Sequence, residues 1–193
     1  MPNAVLLAGP DGAGKTTAAP RLLKGELQVS RFVNADAIAQ GLSAYSAEAV
    51  SIQAGRLMLR RLKEVAAQGA DFAFETTLAS RGFAPWIRDL TSGGYVFRLL
   101  FLWLPSPERC VQRVVDRACQ GGDFVPAETV RRRYGSGLRN FFSLYRPLAD
   151  SWRFYDSTAE PRLAAEGSAG GVTVHDSALW LTLESKYSHG RQA

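Results

Sequence analysis

The run Gly9-Pro10-Asp11-Gly12-Ala13-Gly14-Lys15-Thr16 has the spacing G-x-x-x-x-G-K-T that a polypeptide needs to wrap a triphosphate. Ahead of it, the apolar residues Ala4–Ala8 predict a short buried strand; behind it, the sequence can open a helix. Glycines let the backbone curl so that successive N–H groups converge on phosphate oxygens, and the helix points its positive end at the same anion. Lys15 supplies a mobile cation, expected to face solvent until a nucleotide arrives. Thr16 places a hydroxyl where a Mg²⁺ shared with the phosphates would sit. Nucleotide contacts are therefore expected from Gly9, Asp11, Gly12, Ala13, Gly14, Lys15, Thr16 and Thr17, with Thr16 as the metal ligand.

Working outward, short apolar runs alternate with longer helical patterns, the arrangement that builds a parallel sheet covered by helices. Strands are expected at Ala4–Ala8, Arg31–Asn34, Asp71–Glu75, Tyr95–Leu104 and Trp152–Asp156, with a late one near Val172–His175. Pro20 should kink or shorten the helix after the glycine loop, because it removes a backbone donor. The longest helix is expected from Ala47 to Gln68, where Val50, Ala54, Leu57, Met58, Leu62 and Val65 recur at helical spacing. Another should begin at Pro107 behind the cap Ser106, and a third near Pro126. The small, Gly-rich segment Ala159–Gly171 reads as a loop or hairpin.

A chain of 193 residues that is 46% hydrophobic suits one α/β domain, with 159–193 as a C-terminal tail. No basic N-terminal segment leads into an apolar core, and Val96–Leu104 is short and broken by Arg98, so a soluble, cytoplasmic protein is expected. Cys110 and Cys119 fall on one helix, roughly 14 Å apart at 1.5 Å rise per residue. They are expected as buried thiols beyond disulfide reach. With only His175 and His189 and no clustered cysteines, neither a structural metal site nor a histidine triad is expected, so a general base should be a carboxylate. The net charge of +5 comes from 23 basic and 18 acidic residues, and only 4 of the basic residues are lysines. Guanidinium forks suit bidentate recognition of phosphate, although surface composition alone also accounts for them.

Two carboxylates follow expected strands: Asp36 after Phe32-Val33-Asn34, and Glu75 at the end of Phe72-Ala73-Phe74. Strand ends in such sheets are where ligands bind, so both should face the phosphate site, and either can orient a hydroxyl and accept its proton. Each also reads as a helix cap or surface carboxylate. Arg109, Arg113 and Arg117 form a stripe whose i, i+4 spacing equally describes a solvated face beside Glu108 and Asp116. The turn Gly121-Gly122-Asp123-Phe124-Val125-Pro126, followed by Arg131-Arg132-Arg133, has the make-up of a lid that closes over a transferring phosphoryl group. Arg113, Arg117 and the triplet are the candidates for that role.

Taken in order, several motifs resemble a zeta-toxin-family P-loop kinase: the glycine loop, Asn34-Ala35-Asp36, Phe74-Glu75-Thr76-Thr77-Leu78, Gly121–Pro126, and Arg131-Arg132-Arg133-Tyr134. Asp150-Ser151-Trp152-Arg153-Phe154-Tyr155-Asp156 extends the likeness, which covers roughly Ala4 to Thr158. The resemblance implies a parallel-sheet fold with helices on both faces and an Arg-rich lid. It also implies ATP-dependent phosphoryl transfer, with UDP-N-acetylglucosamine as acceptor through its 3-hydroxyl, and an antitoxin partner that covers the nucleotide site. By position, Asp36 resembles the catalytic base, Glu75 and Thr77 the sugar-nucleotide contacts, and Lys15 and Thr16 the phosphate and Mg²⁺ ligands; Arg81 joins the substrate set. Asp11 stands where many members have Asn, and Asp123 where the lid often carries His.

Two other classes fit the same residues. A P-loop kinase acting on an antibiotic or nucleoside would share everything up to Glu75 and differ in its acceptor contacts. A nucleic-acid-end kinase would exploit the positive charge and bind with steep salt dependence.

Overall fold

The structure, a computed structural model, describes residues 1–42 and 50–188. His189 and the first residues of the helix expected from Ala47 lie outside the described residues. A seven-stranded sheet runs through the molecule in the order β2-β3-β1-β4-β5-β6-β7. Its strands are β1 (Asn3–Ala8), β2 (Phe32–Val33), β3 (Phe72–Thr76), β4 (Val96–Trp103), β5 (Ser151–Asp156), β6 (Arg162–Ser168) and β7 (Gly171–Val174). The first five in that order are parallel, whereas β5–β6 and β6–β7 pair antiparallel. The parallel sheet expected from the sequence is present in β2-β3-β1-β4-β5, and an antiparallel edge extends it. The connection from β5 to β6 is too short for a crossover, so the chain can only turn back on itself.

Among the described residues, seven α-helices cover the sheet: α1 (Lys15–Ala19), α2 (Ala35–Leu42), α3 (Ser51–Ala67), α4 (Phe83–Ser92), α5 (Pro107–Cys119), α6 (Ala127–Asn140) and α7 (Ser177–Tyr187). At Pro20, α1 passes into a wider π-helical segment, Pro20–Glu26, which is the local break that a missing backbone donor imposes. Ser106 caps α5 by accepting from the Arg109 N–H at 3.1 Å. The Gly-rich stretch takes the hairpin alternative, with β6 and β7 paired from Ala165↔Val174 to Ser168↔Gly171.

Successive residues of β1, β3 and β4 are buried, which is how strands covered on both faces read. On one face, Phe72 and Phe74 meet Phe83 and Trp86 of α4. Further along the same face, Phe101 and Phe154 stack at 5.3 Å under Phe141, and Trp152 stacks on Trp180 of α7 at 5.1 Å. Each such ring contributes about 2–3 kcal/mol by leaving water. On the other face, Lys15 and Thr16 of α1 meet Glu75 at the end of β3.

The two cysteines differ. Cys110 is buried, but Cys119 is exposed, which corrects the expectation of two buried thiols. Nine residues at about 100° each put them on opposite sides of α5, so only one can face the core. No described helix is long and apolar enough to cross a membrane.

Candidate active site

The glycine loop leaves β1 through Gly9, whose φ of +145° and position leave no room for a side chain, since a Cβ there would overlap the Leu102 carbonyl oxygen of β4. The loop turns with Ala13 N–H donating to Pro10 O at 3.2 Å, and α1 opens at Lys15. Lys15 does not face solvent, contrary to expectation. Its side chain is 8% exposed, with Nζ donating to Pro10 O at 3.0 Å and standing 3.8 Å from Glu75 Oε1. A buried ammonium requires acceptors, and the loop carbonyl and the neighbouring strand end supply them.

Parallel pairing sets Leu7 beside Glu75 and Ala8 beside Thr76, so the end of β3 lies directly against the glycine loop. Glu75 Oε2 accepts from Thr16 Oγ1 and from Asn34 Nδ2, both at 3.1 Å. Burial pushes the Glu75 carboxyl above its ordinary 4.5, while Lys15 and the Thr16 hydroxyl pull it back. Asn34 in turn caps α2: its Oδ1 accepts from Asp36 N at 2.7 Å and Ala37 N at 3.3 Å. Asp36 stands exposed in the first turn of α2, near enough to raise the Glu75 pKa by charge repulsion. The structure thus gathers Lys15, Thr16 and Glu75, with Asp36 on the rim. It adds Asn34, which the sequence reading passed over as a binding residue. Its signal was there: an Asn two positions before an acidic residue is a helix cap, and its second amide atom must point somewhere.

Thr77 lies half-buried in the turn after β3, and Leu78 follows with φ of +61°. Helix α6 holds this turn. At Gly137 a Cβ would come 2.6 Å from Thr77 O, while Asn140 Nδ2 donates to Leu78 O at 2.8 Å and Ala79 O at 3.1 Å. Tyr145 donates its hydroxyl to Ser80 O at 2.7 Å. Arg81 is exposed at the end of this turn, and Thr17 is exposed on α1.

The arginines do not act as one group. Arg113 donates to three carbonyls, Gly12 at 3.4 Å, Ser157 at 3.0 Å and Thr158 at 2.8 Å, so it ties the glycine loop to the end of β5. Arg117, one turn on, is exposed and donates to Asp123 O at 3.0 Å, with its charge still lowering the Glu75 pKa. Gln40 of α2 donates to Asp123 Oδ2 at 3.0 Å, so the lid turn is joined to the helix that carries Asp36. Arg131 pairs with Glu108 at 3.4 Å in solvent, and Arg132 is exposed. Arg133 alone of the triplet reaches the glycine loop, 3.4 Å from Asp11 Oδ1, while Asp11 Oδ2 is buried without a hydrogen-bond partner. A cavity of about 260 Å³ opens elsewhere, against Arg98, Ser151 and Arg153 near the amino ends of β4 and β5, and shares no residue with this cluster.

A family model described as an AAA domain matches residues 5–136. The AvrRxo1-ORF1:AvrRxo1-ORF2 complex with sulphate ions contains a similar chain, at TM-score 0.73 and 19% identity; it covers all of this chain and 65% of that one. The complex solved with ATP matches at TM-score 0.71. The PezAT chromosomal toxin-antitoxin system of Streptococcus pneumoniae matches at TM-score 0.69 and 18% identity, covering all of this chain and 80% of that one. The present chain therefore spans just under two thirds of the AvrRxo1 chains that it matches. Curated proteins gave no match. With its glycine loop and sheet order in place, the chain belongs to the AAA domain family and is built on a zeta-toxin-like P-loop kinase fold.

Proposed function

We propose that this protein is an ATP-dependent kinase that transfers the γ-phosphoryl group to a sugar hydroxyl, with the 3-hydroxyl of UDP-N-acetylglucosamine as acceptor. One observation carries the reading: a single carboxylate, Glu75, is shared by the phosphate-binding residues Lys15 and Thr16 and, through Asn34, by the helix that presents Asp36. Phosphate and acceptor sides of a transfer site are thereby held in one frame.

In this reading, residues 9–17 cradle the triphosphate and Lys15 neutralises its charge. A Mg²⁺ ion fits Thr16, because a hydroxyl whose proton is committed to a carboxylate keeps its oxygen lone pairs for a hard cation. The metal would balance negative charge on the phosphates. Among the described residues no cluster of three or more His, Cys, Asp or Glu side chains could hold a metal ion, so this site would depend on the nucleotide for most of its ligands. Asp36 takes the proton of the acceptor hydroxyl, the oxygen forms the new P–O bond, and ADP departs. Glu75, Thr77 and Arg81 bind sugar hydroxyls and the acceptor phosphates. Arg117 and Arg133 approach from the lid side, and Arg113 keeps the glycine loop in shape. ATP and UDP-sugars are cytoplasmic metabolites, which assigns the protein there. The AvrRxo1 match comes from an ORF1:ORF2 complex and the PezAT match from a toxin-antitoxin system, and on that likeness we assign this chain a small antitoxin-like partner over the nucleotide site.

Incubating the protein with Mg-ATP and a panel of UDP-sugars, nucleosides and aminoglycosides, read by mass spectrometry, tests the proposal. Phosphate on UDP-N-acetylglucosamine is the expected result. Phosphate only on another alcohol rejects the acceptor and keeps the kinase; no transfer rejects both. Oligonucleotide binding that falls steeply with salt would favour the nucleic-acid reading instead.

A further inference from the structure

We infer that Asn34 is a positioning residue, whose amide holds the Glu75 carboxylate on Thr16 and limits how tightly that carboxylate pairs with Lys15. The inference rests on the nucleotide-binding half of the reading above and not on the identity of the acceptor.

The amide of Asn34 has no freedom to serve otherwise. Its Oδ1 is engaged by the Asp36 and Ala37 N–H groups, at 2.7 and 3.3 Å, which turns the NH₂ end toward Glu75 Oε2 at 3.1 Å. Oε2 then has two donors, Asn34 and Thr16. The other oxygen, Oε1, lies 3.8 Å from Lys15 Nζ, the outer limit of an ion pair, whereas Lys15 makes its shorter bond, 3.0 Å, to Pro10 O. Lys15 is thus kept near the carboxylate without being captured by it. The Lys15 and Glu75 side chains are less than a tenth exposed, so water is a poor substitute for a lost donor. Without the Asn34 amide, Oε2 loses one of its two donors, and the buried charge turns to the strongest remaining source of compensation, the Lys15 ammonium. A tighter Lys15–Glu75 pair competes with nucleotide phosphates for the same ammonium. Asn34 therefore tunes phosphate affinity from a residue that would touch neither nucleotide nor acceptor.

Asn34→Ser tests this, because a serine hydroxyl still caps α2 but is too short to reach Glu75. Affinity for a fluorescent ATP analogue with Mg²⁺, measured without acceptor, should fall about fivefold to tenfold while the melting temperature stays near that of the parent. Asn34→Asp, which keeps the shape and the capping oxygen but loses the donor, should shift affinity in the same direction and stands in if the serine variant folds poorly. In a Glu75→Gln background, Asn34→Ser should change affinity by less than about twofold. Parental affinity in folded Asn34→Ser, or an equal loss in the Glu75→Gln background, overturns the inference and leaves Asn34 a helix cap only. An acceptor panel that yields no phosphorylated product would defeat the proposed kinase without altering these affinities. A parent protein that binds no ATP would defeat the nucleotide reading itself.

Discussion

Lys15 and Glu75 meet with 8% and 9% of their side chains exposed, each bonded to at least one further group; Arg131 and Glu108, on the lid side, meet with 51% and 66% exposed. The two pairs have the same chemistry and opposite consequences. In the interior, loss of one member leaves a charge that water cannot reach, so position and protonation are tightly coupled. In solvent, the pair contributes about 0–1 kcal/mol and either member can leave it to meet a substrate. The carboxyl end of the sheet is thus a fixed frame, and the lid is a set of cations free to be redeployed. Between them stand Arg113 and Arg117, one turn apart on α5: the first is held by three carbonyls of the frame, the second by one carbonyl of the lid.

The largest effect is expected in the frame. Lys15→Ala should lower phosphoryl transfer by about 10³-fold or more, since an ammonium at the phosphates acts where transition-state charge develops. It should also cost about 1–3 kcal/mol of stability, because Glu75 loses its cation while buried. Pairing it with Glu75→Gln should restore most of the stability and none of the activity, as read by thermal melts and product formation. The sign with pH is fixed as well. The folded-state pKa of Glu75 lies above 4.5, so this residue's contribution to stability is greatest at low pH and declines as pH rises from 4.5 through the folded value. Melts of Lys15→Ala at pH 5 and pH 8 should show the larger deficit at pH 8. An equal deficit at both would mean that Glu75 is not sensing Lys15.

Asp36 tests the rim of the frame. Exposed and capped from below by Asn34, it can be changed without disturbing packing. Asp36→Asn is expected to reduce kcat by on the order of 10²-fold, with ATP affinity kept and the melting temperature unchanged. Normal turnover in Asp36→Asn with loss in Glu75→Gln would exchange their roles.

The arginines divide along the same line. Arg113→Ala should weaken ATP binding and destabilise the protein by about 1–2 kcal/mol, since the partly buried Gly12 and Ser157 carbonyls and the exposed Thr158 carbonyl all lose a donor. Arg117→Ala should instead lower kcat about tenfold with a small change in ATP affinity, and Arg131→Ala should alter stability by less than about 0.5 kcal/mol. Equal effects of Arg113→Ala and Arg117→Ala on ATP affinity would erase the distinction between frame and lid.

How far the sequence reached follows from what each residue's partners are. The glycine loop, the strands from β1 to β5 and the capped start of α5 depend on local spacing, and local spacing is what a sequence displays. The burial of Lys15 was not legible, because its acceptors are a turn carbonyl and a carboxylate sixty residues away. Nor was the split among Arg131, Arg132 and Arg133, where successive helical positions point about 100° apart and only the third meets Asp11. Helix α7 escaped for another reason: it buries Trp180, Leu183 and Tyr187 yet leaves Leu181 mostly exposed, so no clear apolar stripe marks it. The antiparallel edge needed the length of the β5–β6 connection rather than the character of its residues.

The smallest expected effect comes from the cysteines, one in each region. Cys110 lies beneath the glycine loop, its backbone carbonyl 3.0 Å from where a Cβ on Gly12 would stand, and burial pushes its thiol up to about 12. At pH 8 only about one molecule in 10⁴ then carries the thiolate, the form that attacks an alkylating reagent. Cys119 is exposed at the end of α5, immediately before the lid turn. Iodoacetamide at pH 8 should therefore modify one site per folded chain, Cys119, with Cys110 reacting only on unfolding, as read by intact mass and peptide mapping. If the turn from Gly121 closes over a loaded site, ATP and acceptor together should slow Cys119 alkylation by about twofold to fivefold, while ATP alone changes it less. Protection by ATP alone to the full extent would make nucleotide binding, and not acceptor binding, the event that draws the lid onto the frame.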